Sequence, residues 1–160
     1  MAIQHADPIV APPSDAPAAD RPTGGFNVDI IAIAKENDLF RRVLSTGTHA
    51  QVVVMSIPVG GEIGSEVHPG LDQVLVFVEG SGVAVIDGDE SAVGPGHLVH
   101  VPAHARHNVI NQGTCDMRLY TVYAPPQHAP GTIHRTKAEA DADKTDHYVA
   151  PTATSGSTGA

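Results

Sequence analysis

Four polar side chains interrupt apolar stretches of this chain at spacings that let them meet: Glu66 and His68, then Gln73, then His107. Glu66 and His68 are two residues apart, so in an extended strand both point to one face. Gln73 opens the run Gln-Val-Leu-Val-Phe, beyond Pro69-Gly70, and can face back toward them across that turn. His107 opens a later run behind Pro102. A carboxylate, two imidazoles and an amide oxygen converging from two neighbouring hairpins would suit one divalent transition metal. Imidazole nitrogen suits zinc, iron and nickel, and the oxygen ligands extend the range to manganese. Two histidines with one carboxylate is also the composition of the non-haem iron triad, which leaves coordination positions open for substrate and O2. The absence of cysteine argues against a closed structural zinc site. Any one of these residues alone is more often an ordinary hydrogen-bonded core residue; the expectation rests on the set.

Such a set needs short strands and tight turns to position it. Short β-branched runs over 49–57, 74–78, 82–86, 98–101, 107–110 and 117–123 are separated by Gly, Pro, Asn and Asp. Asp87-Gly88 is a two-residue hairpin signal, because both positions tolerate positive φ. Asn111-Gln112-Gly113 marks another turn. Many short strands at close spacing predict an all-β sandwich or barrel. Ahead of them, 29–36 reads as a short helix capped by Asp29. Behind them, Thr136-Lys-Ala-Glu139 is a capping-box signature. It predicts a second short helix over about 136–147, solvated and weakly docked for want of an apolar stripe. Residues 1–25, rich in Pro and Ala, read as a disordered arm. The body spans 26–135, and 136–160 comprises the charged helix and a low-complexity tail.

Composition narrows the partners. The net charge of −9 repels phosphate backbones and anionic lipid, so neither nucleic acid nor a membrane surface is expected. No apolar run approaches the ~20 residues that span a bilayer. The N-terminus has neither a basic start nor an apolar core, so no signal peptide is expected. Cys115 is the only cysteine, which precludes an intrachain disulfide and fits a reducing cytoplasm.

The glycines and prolines around the four polar residues resemble the two motifs of the cupin superfamily. The first is read as Gly60, five residues, Glu66-Val67-His68, four residues, Gln73, six residues, Gly80. The second is read as Gly96, five residues, Pro102-Ala103-His104, two residues, His107, three residues, Asn111. The spacing fits throughout, over roughly 26–135. Glu66 stands where the first motif usually has His, Gln73 where it has Glu, and His104 where the second has Gly. The site thus keeps two histidines and one carboxylate, with the charge moved to the other end of the motif. The wording is similar to a bacterial subgroup of small type-2 cupins often labelled mannose-6-phosphate isomerase-like, a label that carries the fold and not the activity. The resemblance implies an antiparallel jelly-roll β-barrel, one bound metal and a homodimer.

Several other residues flank the site. His104, three residues before His107, is a candidate base or substrate contact. His97 and His100 accompany the preceding strand. His49 and Gln51 share a strand face with Val53, Met55 and Ile57, which points to the barrel interior. Leu75 and Phe77 follow Gln73 on one face and make an apolar wall. One of Tyr120 and Tyr123 is expected to reach the cavity, because a buried hydroxyl needs a partner. Arg118 reads as a surface ion pair. The function expected is a metalloenzyme of dioxygenase or isomerase type acting on a small oxygenated molecule. The alternative is a non-catalytic cupin that binds or senses a small molecule.

Overall fold

The computed structural model describes residues 25–151. The expected N-terminal arm and C-terminal tail therefore fall almost wholly outside the described residues. Helix α1 (Ile30–Glu36) starts where Asp29 accepts the Ala32 N–H at 3.0 Å. Ten strands follow: β1 (Arg41–Thr46), β2 (Gln51–Ile57), β3 (Glu66–Val67), β4 (Asp72–Glu79), β5 (Gly82–Ile86), β6 (Asp89–Val93), β7 (Leu98–Val101), β8 (Arg106–Asn111), β9 (Met117–Ala124) and β10 (Ile133–His134). Helix α2 (Lys137–Ala142) is the last helix among the described residues. All strand pairs are antiparallel. One sheet runs β10-β1-β2-β9-β4-β7 and the other β3-β8-β5-β6. The jelly-roll barrel with two short helices is therefore the observed architecture.

Alternation along the strands decides what lies inside. In β2, β4 and β9 the inward side chains of Met55, Ile57, Leu75, Phe77, Met117 and Leu119 are essentially fully buried. They pack with Ala84, Val93 and Val109 of the second sheet. Burying each such large side chain stabilises the fold by about 1.5–3 kcal/mol. The inward positions of β9 run Met117, Leu119, Thr121, Tyr123, from apolar to polar. Gln51 and Gln73 pair with Tyr123 from either side, so the polar residues form one row at the same end of the barrel. On the outer face of the larger sheet, Ala34 of α1 packs with Leu44, Val54 and Val78.

The motif glycines Gly60, Gly80 and Gly96 all have positive φ, at 75°, 82° and 85°. At Gly80 a Cβ would also lie 2.7 Å from the Met117 Cα, so no side chain fits. Asp87 and Gly88 turn the β5–β6 hairpin with φ of 48° and 90°, as the dipeptide predicts. Asn111 donates to Ile57 O and Cys115 O, both at 2.9 Å, and accepts the Gly113 N–H, so its amide joins three segments.

Three expectations need correction. His49 lies before β2 and is exposed, so only Gln51 of that pair enters the barrel. Helix α2 is six residues, not twelve: its C-cap Asp143 turns away to accept a hydrogen bond from His134 Nε2 at 3.0 Å. Helix α2 itself buries no residue, as expected of a solvated helix, but the segment behind it is docked, with the Asp146 side chain only 5 % exposed. Strands β1 and β10 have no counterpart among the apolar runs, and β6 is marked only by the Asp87-Gly88 turn that leads into it. In β6 four of five residues are exposed, which leaves no apolar pattern to read.

Candidate metal centre

Glu66 and His107 are direct cross-strand partners in the β3–β8 pair, and His68 follows on the Glu66 face. The ligand atoms of Glu66, His68 and His107 all lie within 4.8 Å of one another, a cluster that could hold a metal ion. Gln73, from the facing sheet, brings Oε1 to 3.1 Å from His107 Nε2. The four sequence-predicted residues therefore come together. His104 does not join them: it is exposed in the turn before β8, at φ 72°, and its backbone N–H donates to His68 O at 3.0 Å. His97 and His100 are also exposed. Arg118 pairs with Asp38 and Glu79 at 2.6 and 2.9 Å, the surface ion pair expected.

Hydrogen bonding around Gln73 and His107 assigns their polarity. Thr121 donates its hydroxyl to Val74 O at 2.9 Å, so its oxygen must accept from Gln73 Nε2, 3.1 Å away. That directs Gln73 Oε1 at His107. His107 Nδ1 faces Ala105 O at 3.1 Å, and a carbonyl can only accept. Nδ1 therefore carries the proton, and in the neutral ring Nε2 is a lone pair. Two acceptors thus face each other in a buried place, Gln73 and His107 being 2 % and 3 % exposed. A cation between them removes this conflict. Two adjacent ligands at about 2.1 Å from one metal and at right angles to each other are about 3.0 Å apart, close to the observed separation.

The other two groups fit the same ion. His68 Nε2 is buried without a hydrogen-bond partner; it lies 3.3 Å from Glu66 Oε2 but out of line with it. Burial pushes the Glu66 carboxyl up, but the neighbouring His68, followed by the Arg41 charge, outweighs it and holds the group below its ordinary value. Glu66 is thus ionised, as a ligand must be.

A polar wall continues the site beyond these four residues. The Tyr123 ring stands edge-on to His68, 6.0 Å between centroids, and edge-on to His128 at 5.0 Å. Tyr123 is therefore the cavity tyrosine, while Tyr120 lies half-buried against α1's side of the sheet. Burial pushes the Tyr123 hydroxyl far up, so it stays protonated. Gln51 holds the His128 segment in place: it donates to His128 O at 2.8 Å and accepts the His128 N–H at 3.0 Å. His128 Nδ1 donates to Asp146 Oδ2 at 2.7 Å. Burial pushes the His128 ring down, and Arg41 adds to this, so His128 is neutral near pH 7 despite Asp146. Arg41 is 6 % exposed; its Nη1 lies 3.5 Å from His134 Nδ1 and 3.7 Å from the same Asp146 oxygen. Arg41, His128 and Asp146 went unnoticed in the sequence. Arg41 lies on an unrecognised strand, and the other two follow the Pro125-Pro126 break that reads as the end of the barrel.

Residues 53–123 match the family model described as Cupin domain. The chain is 42 % identical over 121 residues to YrkC of Bacillus subtilis (strain 168), covering 72 % of this chain and 65 % of that protein. It is 33 % identical over 102 residues to L612 of Acanthamoeba polyphaga mimivirus, covering 61 % of this chain and 64 % of that protein. The chain thus spans slightly less than two thirds of each of these relatives. The crystal structure of BH2720 from Bacillus halodurans is similar with a TM-score of 0.74 and 44 % identity, over 78 % of this chain and 97 % of that one. Among the described residues no helix is long and apolar enough to cross a membrane.

Proposed function

The chain belongs to the cupin superfamily, and from that premise we propose that it is a mononuclear metalloenzyme with Glu66, His68, Gln73 and His107 as protein ligands. The observation that carries this reading is the pair of acceptors, Gln73 Oε1 and His107 Nε2, facing each other at 3.1 Å. A second proton on His107 would also relieve that pair. The unpartnered Nε2 of His68 and the ionised Glu66 at the same point favour the metal. Mixed nitrogen and oxygen ligands without thiolate suit iron, manganese, zinc or nickel.

Four protein ligands would leave coordination positions free for a small oxygenated substrate. The metal would supply Lewis acidity, or O2 activation, at those open positions. The protein's own contribution is orientation. Thr121 fixes the Gln73 amide, Ala105 O fixes the His107 ring, and Leu75 and Phe77 make a dry wall behind them. Ligands locked in this way undergo little reorganisation when substrate binds. The reaction class is dioxygenation, or enolisation and isomerisation of a carbonyl compound. His104 is not required by this reading.

The test is elemental analysis of untagged protein prepared without chelator, beside the His107→Ala variant. About one metal per chain, lost in the variant, is the expected result. Equal metal in both proteins would refute the ligand assignment. Oxygen uptake or substrate loss by the loaded protein then distinguishes an enzyme from a binding cupin.

A further inference from the structure

Two buried groups beside the proposed metal centre have hydrogen-bonding capacity that nothing in the fold uses. Arg41 Nε–H is a donor with no acceptor, and His128 Nε2 has no partner. Both side chains are 7 % exposed. A buried unpaired donor or acceptor costs about 1–3 kcal/mol, more for a charged group. Neither group is loosely placed. His128 Nδ1 and Arg41 Nη1 both approach Oδ2 of Asp146, at 2.7 and 3.7 Å. Asp146 is itself held by the Ala129 N–H at 3.0 Å and lies 2.9 Å from the Thr132 hydroxyl. His134 takes up another Arg41 donor and is in turn fixed by Asp143. Five residues on two separate segments, 129–134 and 143–146, thus orient one free donor and one free acceptor.

Both groups are near the centre. The His128 ring is one tyrosine away from His68, so the two imidazole centroids are separated by no more than the sum of 5.0 and 6.0 Å. The Arg41 charge acts on Glu66, Tyr123 and His128 alike. With Nδ1 donating to Asp146, the neutral His128 presents a lone pair at Nε2, which calls for a hydroxyl donor. A guanidinium N–H calls for an anionic oxygen, with carboxylate the best match.

We propose that Arg41 and His128, seated together on Asp146, are the recognition half of this site. They take the carboxylate and a hydroxyl of a small hydroxy acid whose remaining oxygens face Glu66, His68, Gln73 and His107. This rests on the metal-centre reading and adds a substrate class to it. The hydroxyl donates to His128 Nε2, and the carboxylate accepts from Arg41 Nε. Asp146 sets both angles without touching the ligand, so it is a positioning residue. The Tyr123 ring, edge-on to both His68 and His128, flanks the two halves.

The experiment uses full-length protein loaded with manganese(II), with metal retention checked before and after calorimetric titration. The probes are malate, its deoxy analogue succinate, and the neutral butane-1,2,4-triol. Wild-type protein is expected to bind malate at least about tenfold more tightly than succinate, the value of one buried hydrogen bond, and to bind the triol most weakly. His128→Asn keeps a donor for Asp146 and removes the Nε2 acceptor. It should bind malate and succinate equally, with metal content unchanged. Arg41→Lys should weaken malate and succinate together by about tenfold or more, again with metal retained. Equal binding of malate and succinate to wild type overturns the proposal, as does a malate preference that survives in His128→Asn. Metal stoichiometry reports separately on the four-ligand reading. A malate preference in protein that takes up no metal would overturn that reading and leave the recognition half standing.

Discussion

Replacing Gln73 by Leu should have opposite consequences in metal-free and metal-loaded protein. With His107 neutral and protonated at Nδ1, Gln73 Oε1 in the metal-free molecule faces a lone pair 3.1 Å away, and the amide's one favourable bond is from Nε2 to Thr121 at 3.1 Å. Leucine removes that bond, a loss of about 0.5–1.5 kcal/mol. It also removes a buried carbonyl oxygen without a donor, a gain of about 1–3 kcal/mol. Thr121 keeps its bond to Val74 O, so no new donor is stranded. The metal-free variant should therefore be as stable as wild type or up to about 2 kcal/mol more stable, whereas removing a satisfied buried amide would cost a similar amount. Metal reverses the order. A ligand at a hundred times its dissociation constant stabilises by about 2.7 kcal/mol, and the variant loses one of four ligands and most of that gain. Urea denaturation with and without metal measures both numbers. A metal-free Gln73→Leu protein that is about 2 kcal/mol less stable than wild type would refute the polarity assignment. It would mean that His107 Nε2 carries a proton and donates to Gln73.

The pH dependence of stability follows from His128 and the carboxylates. The folded protein holds His128 below its ordinary 6.5, so below that pH the unfolded chain binds a proton the folded chain refuses. Stability should be greatest above 6.5 and decline as the pH falls from there; urea midpoints across that range in wild type and His128→Asn should show the decline only in wild type. Glu66 and Asp146 are held below their ordinary 4.5 and 3.8, so their contribution is present above those values and lost as the pH falls through the folded ones, a second and more acidic step. Asn111→Ala should destabilise by about 2–3 kcal/mol, because Ile57 O and Cys115 O both lose their donor, while metal content per folded chain stays the same. Elemental analysis beside a thermal melt separates the two effects. The homodimer expected from the family would cover a sheet edge, and β7 offers one with Leu98 61 % exposed; sedimentation of Leu98→Glu as a monomer beside a dimeric wild type would place the interface there.

Local chemistry determined much of this molecule in advance. Asp29 before an apolar run, Asp87-Gly88, and glycines at 60, 80 and 96 each dictate backbone geometry within a few residues, and the structure carries every one. The alternation that buries Leu75 and Phe77 beside Gln73 is equally local, because side chains on a strand have a period of two. Glu66, His68, Gln73 and His107 were legible because short turns and fixed motif spacing leave few ways for them not to meet. The tertiary structure decided what has no local pattern. Strand β6 carries no apolar pattern, since nearly all of it is exposed, and past the Asp87-Gly88 turn only its pairing with β5 defines it. Arg41 acquires its neighbours from residues 134 and 146, about a hundred positions away, and His128 from 51 and 146. A charged residue in a strand and an aspartate behind a solvated helix look like surface in any window of sequence. Only closure of the barrel removes them from water and leaves them with one another as partners. The meeting of Glu66, His68, Gln73 and His107 was therefore a property of the chain, whereas the surroundings of Arg41 and His128 are a property of the fold.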